Sequence, residues 1–259
     1  MNKNIVISGI TKGIGLSIAM RFVETGKWNA YGFAKKLPLW DYISLPTCQS
    51  VIPEPLHKSF SKEIHYEFEA STGLFCQDEI DVREINEIVQ FATKLKQLVQ
   101  KAPYYYQKTD VLVNNVGIYR TGSLFSEPDT QWHELLQVNL NAAYYLTKYL
   151  YPTFTKGTHI FNICSIASKE IVQDAPSYSI TKMALYGLHK AMMQELEPLG
   201  VKVTAILPGA VLTDSWRDTP IEIQNKIIPA SDIASLIWEA YHLAPQSSVK
   251  EIEVKPLNF

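Results

Sequence analysis

The stretch Ile5-Val6-Ile7-Ser8-Gly9-Ile10-Thr11-Lys12-Gly13-Ile14-Gly15 decides how the chain is read. Ile5 to Ile7 form the short apolar run of a buried strand, and Gly9, Gly13 and Gly15 follow at GxxxGxG spacing. Ile14, Ile18 and Phe22 then recur at helical intervals until Thr25-Gly26 stops them. A second strand is expected from about Ala30 to Ala34. Strand, Gly-rich turn, helix and strand open a dinucleotide-binding βαβ unit. Glycines let such a turn approach a pyrophosphate, and the helix start offers unpaired N–H groups at the positive end of its dipole. Three glycines alone are equally compatible with a tight turn that binds nothing. Their place between a strand and an amphipathic helix favours the binding reading.

Working outward, residues 37–80 are the least legible part, with Pro38, Pro46, Pro53 and Pro55 breaking any long helix. A strand is expected near Leu74 to Gln77, then a helix from about Val82 to Lys101 and a strand from Asp110 to Asn114. The pattern continues with a helix from Thr130 to Tyr151, a strand from His159 to Cys164 and a helix from Ser177 to Glu197. Val201 to Leu207 is a strand closed by Pro208-Gly209, followed by a polar stretch with a short helix. Ser231-Asp232 opens the last helix, and Glu251 to Val254 is the last strand. This alternation predicts an α/β protein with a parallel sheet covered by helices on both faces. No linker, low-complexity segment or repeat interrupts it, so residues 1–259 read as one domain.

Composition narrows the function. With 46% hydrophobic residues in 259, the chain can bury one sizeable core. Its formal net charge of −2 offers no broad cationic surface for phosphates, so nucleic acid is not the expected partner. Cys48, Cys76 and Cys164 are an odd number without CxxC spacing, which predicts no metal site and no disulfide framework. Apolar runs fall short of the about 18 residues a membrane span needs. The expectation is a cytoplasmic protein with no membrane partner.

Further along, Asn114-Asn115-Val116-Gly117, Asn139 in Val138-Asn139-Leu140, Ser165 after Asn162-Ile163-Cys164, Tyr178-Ser179-Ile180-Thr181-Lys182, and Pro208-Gly209 with Thr213 stand in a fixed order. Together with the Gly-rich turn, this series resembles the compact TGxxxGxG / YxxxK branch of the short-chain dehydrogenase/reductase family, with Ser8 in place of the usual Thr. The likeness runs over nearly the whole chain apart from residues 37–80. It implies a Rossmann-type doubly wound sheet with a cofactor half over about 1–125 and a catalytic and substrate half over about 126–259. It also implies hydride exchange between a nicotinamide cofactor and a carbonyl or alcohol.

By that resemblance, Asn139, Ser165, Tyr178 and Lys182 are the catalytic set. Gly9, Thr11, Lys12, Gly13, Ile14, Gly15, Lys35, Asp81, Asn114, Gly117, Tyr178, Lys182, Pro208, Gly209 and Thr213 would bind the cofactor. The four-residue step from Tyr178 to Lys182 puts both on one face of a helix. A free phenol exchanges protons poorly at neutral pH, and a neighbouring ammonium favours its ionised form. Tyr178 would then give or take a proton, and Ser165 would orient the carbonyl oxygen. Lys182 would hold the nicotinamide ribose, and Asn139 a water leading to solvent. Blander roles exist for each: a strand-end cap for Ser165, a buried helix amide for Asn139, backbone satisfaction for Asn114 and Asn115.

The second strand ends Gly32-Phe33-Ala34-Lys35-Lys36 with no acid, where NAD sites carry a carboxylate for the ribose 2′-hydroxyl. Lys35 and Lys12 suit a 2′-phosphate, so NADP(H) is expected over NAD(H), unless both are plain solvated charges. Asp81 resembles the family Asp near adenine, with Asp78 as competitor, and also fits an N-cap for the next helix. Tyr119, Ile166, Ile171, Val172 and Trp216 are candidate pocket residues for a moderately hydrophobic ketone or aldehyde. The segment from Asp214 to Lys226 resembles the family's mobile substrate lid. Glu251-Ile252-Glu253-Val254-Lys255-Pro256 resembles endings of relatives that reduce small carbonyl compounds.

Tyr-to-Lys spacing sets the chain apart from enoyl reductases, and the Gly-rich spacing from nucleotide-sugar epimerases. A cofactor-binding sensor that keeps the fold without turnover is the rival from another class. The family habit of pairing through helices near 130–151 and 177–197 implies a homodimer or homotetramer. Tyr144, Leu188 and Met192 on those helices would equally suit packing on the sheet.

Overall fold

The computed structural model describes residues 2–35, 66–67, 74–101, 107–213, 216 and 220–257. Of the expected irregular region, Pro38, Pro46, Pro53 and Pro55 lie outside the described residues, as do Lys36 and Cys48.

The chain runs β1 (Lys3–Ser8), α1 (Gly13–Val23), β2 (Trp28–Ala34), β3 (Tyr66–Glu67), β4 (Leu74–Glu79), α2 (Ile85–Lys101) and β5 (Val111–Asn114). Next come α3 (Asp129–Leu136), a π-helical segment (Gln137–Asn141), α4 (Ala142–Leu150), β6 (His159–Ile163) and α5 (Pro176–Leu196). It ends with β7 (Lys202–Pro208), β8 (Val211–Leu212), α6 (Ile221–Gln224), β9 (Ile228–Pro229), α7 (Ala230–His242) and β10 (Glu251–Val254). The main sheet has the order β10-β7-β6-β5-β1-β2-β4-β3. Seven strands are parallel and β3 is antiparallel to β4. The predicted doubly wound α/β sheet is therefore present.

Both faces are covered, which is why the central strands read as continuous apolar runs rather than alternating ones. On one face α1 and α7 bury Ile18, Phe22, Ile233 and Ile237 against Ile5, Ile7, Val111 and Phe161. On the other, α2, α4 and α5 bury Ile88, Leu95, Leu146 and Met192 against Val6, Leu112 and Ile160. Met192 thus packs inward, Leu188 is partly buried beside it, and Tyr144 faces outward. Among the described residues no helix is long and apolar enough to cross a membrane.

Two expectations need correcting. The helix after β4 begins at Ile85, not Val82, because Asp81 is engaged elsewhere. Its carboxylate accepts the Arg83 N–H and side chain, and Glu84 N–H bonds Asp81 O in a turn. Asp81 is therefore not the helix N-cap. The helix expected from Thr130 to Tyr151 is interrupted by the π-helical segment Gln137–Asn141.

The strand order reverses between β1 and β5, whose crossovers leave in opposite directions. Such a switch point opens a crevice at the carboxyl ends of the strands.

At the opposite end, His159 is 1% exposed and stacks on Phe161 at 4.0 Å. Thr204 donates its hydroxyl proton to Val249 O, so the 2.8 Å contact from His159 Nε2 is a donation to Thr204. Nδ1 is left bare, with no partner among the described residues. Protonation there would bury a cation with no acceptor, and burial lowers the pKa to about 3. An unfolded histidine protonates near ~6.5, so the unfolded chain takes up the proton first and stability falls as pH drops below that value. This site should cost about 2 kcal/mol by pH 5 relative to pH 7. Urea unfolding at both values checks it: His159→Gln should lose less stability on acidification than wild type. Equal losses would remove His159 as the cause.

Candidate active site

The Gly-rich turn follows β1 and leads into α1. Gly9 and Gly13 have φ of 73° and 54°, the left-handed region that glycine adopts without strain. Gly15 has no room for any side chain, since a Cβ would stand 2.1 Å from Gly9 O. Lys12 is the N-cap of α1 and makes no side-chain capping bond, and no acid occupies the first turn. The first N–H groups of α1 thus face outward without an internal carboxylate, as an anion site requires. Thr11 is buried in the turn, and Ile14 packs on the core beneath it.

The turn is bolted to the neighbouring strand ends. Gly9 and Ile10 N–H groups bond Phe33 O at 2.8 and 3.2 Å. Ser8 Oγ accepts the N–H groups of Asn115 and Val116 at 2.9 and 3.0 Å. Asn115 Nδ2 donates to Ser8 O at 2.8 Å and Gly9 O at 3.2 Å. Asn115 is not among the site residues the sequence points to, yet its amide is what ties this strand end to the turn. Asn114 itself turns inward, donating to Thr147 at 2.9 Å and Asn162 at 2.8 Å, so its amide ties β5 to α4 and β6.

Gly117 lies where strand β5 gives way to loop. A Cβ there would come within 3.2 Å of Lys182 Nζ and 3.4 Å of Asn139 Oδ1. Glycine at 117 therefore leaves space shared by these two groups. Lys182, on α5, is 4% exposed and donates to Ile163 O at 3.0 Å. Its ammonium stands 5.9 Å from the centre of the Tyr178 ring, one turn earlier. Asn139 lies in the π-helical segment and is 1% exposed. Its amide accepts Ile118 N–H at 2.8 Å and donates to Ile118 O and Thr181 Oγ1, both at 3.0 Å. A π-turn shifts the helical phase by one residue, a device frequent at functional sites.

Ser165 follows β6 in extended conformation and caps a short 3-10 turn, Ile166–Ser168. Its Oγ accepts Ala167 N–H at 3.1 Å, and Ser168 Oγ accepts Ser165 N–H at 3.2 Å. Ser168 also donates to Lys182 O at 3.0 Å, so loop and helix hold one another. The cap reading of Ser165 is correct, and it leaves the hydroxyl proton available to another acceptor. Cys164 beside it is buried, and burial pushes the thiol up to about 11, so it stays protonated.

Pro208 ends β7, and Gly209 N–H bonds Val254 O at 2.8 Å. Thr213 reaches the Gly-rich turn, its Cγ2 3.0 Å from where a Gly13 Cβ would stand. The β8–β9 pair, Val211↔Ile228 and Leu212↔Pro229, brackets the segment compared above to a lid. Of that segment the structure describes Trp216 and residues 220–226; Asp214 lies outside the described residues.

At the β2 end, Lys35 is exposed and stands 3.6 Å from Asp81. Arg83 grips the same carboxylate through Nε at 2.9 and 3.0 Å. Chiefly through that bond, Asp81 is held down at about 2. Asp78 is instead paired with Lys94 at 3.3 Å, which leaves Asp81 as the acid beside Lys35. No sequence motif points to Arg83, whose role here depends on its contact with Asp81. Lys12 is exposed at the turn. Of the pocket candidates, Tyr119 packs edge-on to Tyr178 with ring centres 4.9 Å apart, and Ile171 is exposed.

The structure thus gathers the expected residues along one edge of the sheet: turn, Lys35, Asp81, Gly117, Ser165 and the Thr213 segment each follow the carboxyl end of a strand.

A model of the short chain dehydrogenase family matches residues 76–223, more than half of the chain. Sepiapterin reductase of Chlorobaculum tepidum is 26% identical over 258 residues, spanning 99% of this chain and 97% of that protein. An uncharacterized oxidoreductase of Staphylococcus saprophyticus is 28% identical over 166 residues, 63% of this chain and 70% of that protein. A metagenomic short-chain oxidoreductase solved in complex with NADP aligns at TM-score 0.71 and 25% identity, covering 99% of this chain and 98% of the other. A short chain dehydrogenase from Burkholderia cenocepacia, also in complex with NADP, aligns at TM-score 0.76 and 17% identity over 98% and 96%, a likeness of fold. The chain belongs to the short-chain dehydrogenase family.

Proposed function

We propose that the protein is an NADP(H)-dependent reductase of ketones or aldehydes, or the reverse alcohol dehydrogenase, with Tyr178 as its proton donor and acceptor. The observation that carries this reading is the grouping of Lys182 and Asn139 around the space left by Gly117, with the Tyr178 ring beside the Lys182 ammonium. Membership of an oxidoreductase family supports it, as does the full-length similarity to a sepiapterin reductase.

The residues present fit the cofactor. The turn has two glycines with positive φ, a third with no room for Cβ, and α1 N–H groups not capped by the Lys12 side chain. These groups would hold the pyrophosphate. Thr213 closes on Gly13, so it and Pro208-Gly209 would border the nicotinamide end. Lys35 and Lys12 would face a 2′-phosphate, and NADP in complexes of similar proteins agrees with that preference. When bound, the cofactor supplies the hydride.

The chain's own groups do the proton chemistry. Ser165 Oγ accepts Ala167 N–H and keeps its hydroxyl proton to give to the substrate oxygen. Tyr178 gives its phenolic proton to that oxygen in reduction, or removes it in oxidation. Lys182, fixed by Ile163 O, places a positive charge near the ring and stabilises the phenolate left behind. Asn139 spends both amide protons on Ile118 and Thr181, and Oδ1 keeps one lone pair toward the space beside Lys182. A water held there returns the proton from solvent.

Cys164, the cysteine beside this site, is disfavoured as a nucleophile because it keeps its proton. The second reading, a cofactor-binding sensor without turnover, shares the same cradle and differs only in the use of Tyr178.

NADPH consumption with a panel of ketones and aldehydes separates the two. Tyr178→Phe should lose at least about a thousandfold in kcat while NADPH affinity changes little, since only one hydroxyl is removed. Undiminished turnover in the mutant would end the proposal, and cofactor binding without any turnover in the wild type would favour the sensor. Lys12→Ala with Lys35→Ala should weaken NADPH about tenfold or more and NADH far less. Equal weakening of the two cofactors would contradict the 2′-phosphate assignment.

A further inference from the structure

Tyr119, beside Tyr178, belongs to a group of exposed apolar side chains on two segments that are bonded to one another. Tyr119, Leu124 and Phe125 lie on the loop after Gly117, and Ile171 lies on the segment before α5. The segments are stitched together: Gly122 N–H bonds Asp174 O at 2.9 Å, and Ser177 Oγ donates to the Glu127 carboxylate. Where the loop begins, Asn139 holds both the N–H and the carbonyl of Ile118. Tyr119 is therefore placed by the same amide that borders Lys182.

The Tyr119 ring meets the Tyr178 ring at 4.9 Å and 74°. An edge-to-face pair of this kind is favourable and fixes relative orientation. Yet Tyr119 remains 51% exposed. A large aromatic side chain half in water, on a backbone pinned at both ends of its turn, offers π surface within reach of anything that approaches the Tyr178 hydroxyl. Partial burial, with Tyr178 and Asp174 nearby, raises its pKa, so its hydroxyl stays a donor at neutral pH.

We propose that Tyr119 is a specificity-determining residue, an aromatic platform beside Tyr178 that selects carbonyls borne on a flat aromatic or heteroaromatic ring over saturated ones. This rests on Tyr178 being the proton donor. Stacking supplies the selection, because a flat ring gains contact with the exposed part of Tyr119 that a puckered ring of the same size cannot match.

The test compares acetophenone with cyclohexyl methyl ketone, using NADPH and four proteins: wild type, Tyr119→Phe, Tyr119→Ala and Tyr178→Phe. Wild type should favour acetophenone about tenfold in kcat/KM, and Tyr119→Phe should keep that preference within about threefold. Tyr119→Ala should lose it, mainly through a higher KM for acetophenone. A preference that survives in Tyr119→Ala, or is absent from wild type, overturns the inference. The Tyr178→Phe control separates the two claims: full activity there ends the mechanism, whereas an inactive control with unchanged selectivity ends the platform alone. If neither ketone is reduced, calorimetry on the NADP-loaded protein reads the platform directly. Wild type and Tyr119→Phe should then bind 2-naphthol about tenfold more tightly than decahydro-2-naphthol, and Tyr119→Ala should bind the two alike. Equal affinities in wild type overturn the inference.

Discussion

The clasp between Ser8 and Asn115 holds the two halves of the site in register. β1 and β5 are neighbours, but their connections leave in opposite directions, so their ends have no shared loop. The Ser8 hydroxyl gathers two N–H groups from the far strand end, and the Asn115 amide returns two bonds to the near one. The Gly-rich turn, with two glycines at positive φ and a third with no room for a Cβ, has little stiffness of its own and takes its shape from these contacts. A hydroxyl is what position 8 requires, which Ser meets as Thr would. Removing one partner would leave carbonyls or N–H groups unpaired under the turn, a cost larger than the net value of any one bond.

From the same strand end the order propagates outward. Asn114 points into the protein and locks β5 to β6 and α4, while Asn115 points to the turn and Gly117 opens toward Lys182. A buried ammonium is expensive unless it is hydrogen-bonded, and Ile163 O supplies that partner at the end of β6. The serine loop then closes on the same helix through Ser168 and Lys182 O. Ser165 and Lys182 therefore share one set of hydrogen bonds through Ser168, and Asn139 is tied to the same helix through Thr181, which leaves the three little freedom to drift independently. Preorganisation of this kind is what electrostatic assistance to a reacting oxygen needs.

Much of this was legible beforehand for definable reasons. The first strand, turn and helix combine an apolar run, special glycines and helical spacing, three signals that agree. The Tyr178–Lys182 step carries its geometry in its spacing. What escaped depends on contacts between distant segments. The one-residue phase shift of a π-turn is small against the scatter of apolar positions in so short a segment, so the sequence around Asn139 reads as plain α-helix. Asp81 looked like a cap because capping is its commonest local use, and only its pairing with Arg83 decides otherwise. Asn114 and Asn115 are adjacent and chemically identical, and only the pleat of β5 sends one inward and the other to the turn.

The charge at the end of β2 shows the same distinction between residue type and environment. Lys35 reads from sequence as an available cation, yet it faces Asp81, and a carboxylate there would repel a phosphate. Two features reduce that conflict. Asp81 is gripped by Arg83 at several points and sits far below the usual carboxylate range because of it, so its charge is already largely answered. Lys35 stands farther off, at 3.6 Å, with its side chain 58% exposed, where a single ion pair contributes little. Exchanging that weak contact for a dianion costs Lys35 almost nothing, and Asp81 keeps its stronger partner. In the proposed 2′-phosphate site Arg83 would then act by holding Asp81, so that Lys35 can let go.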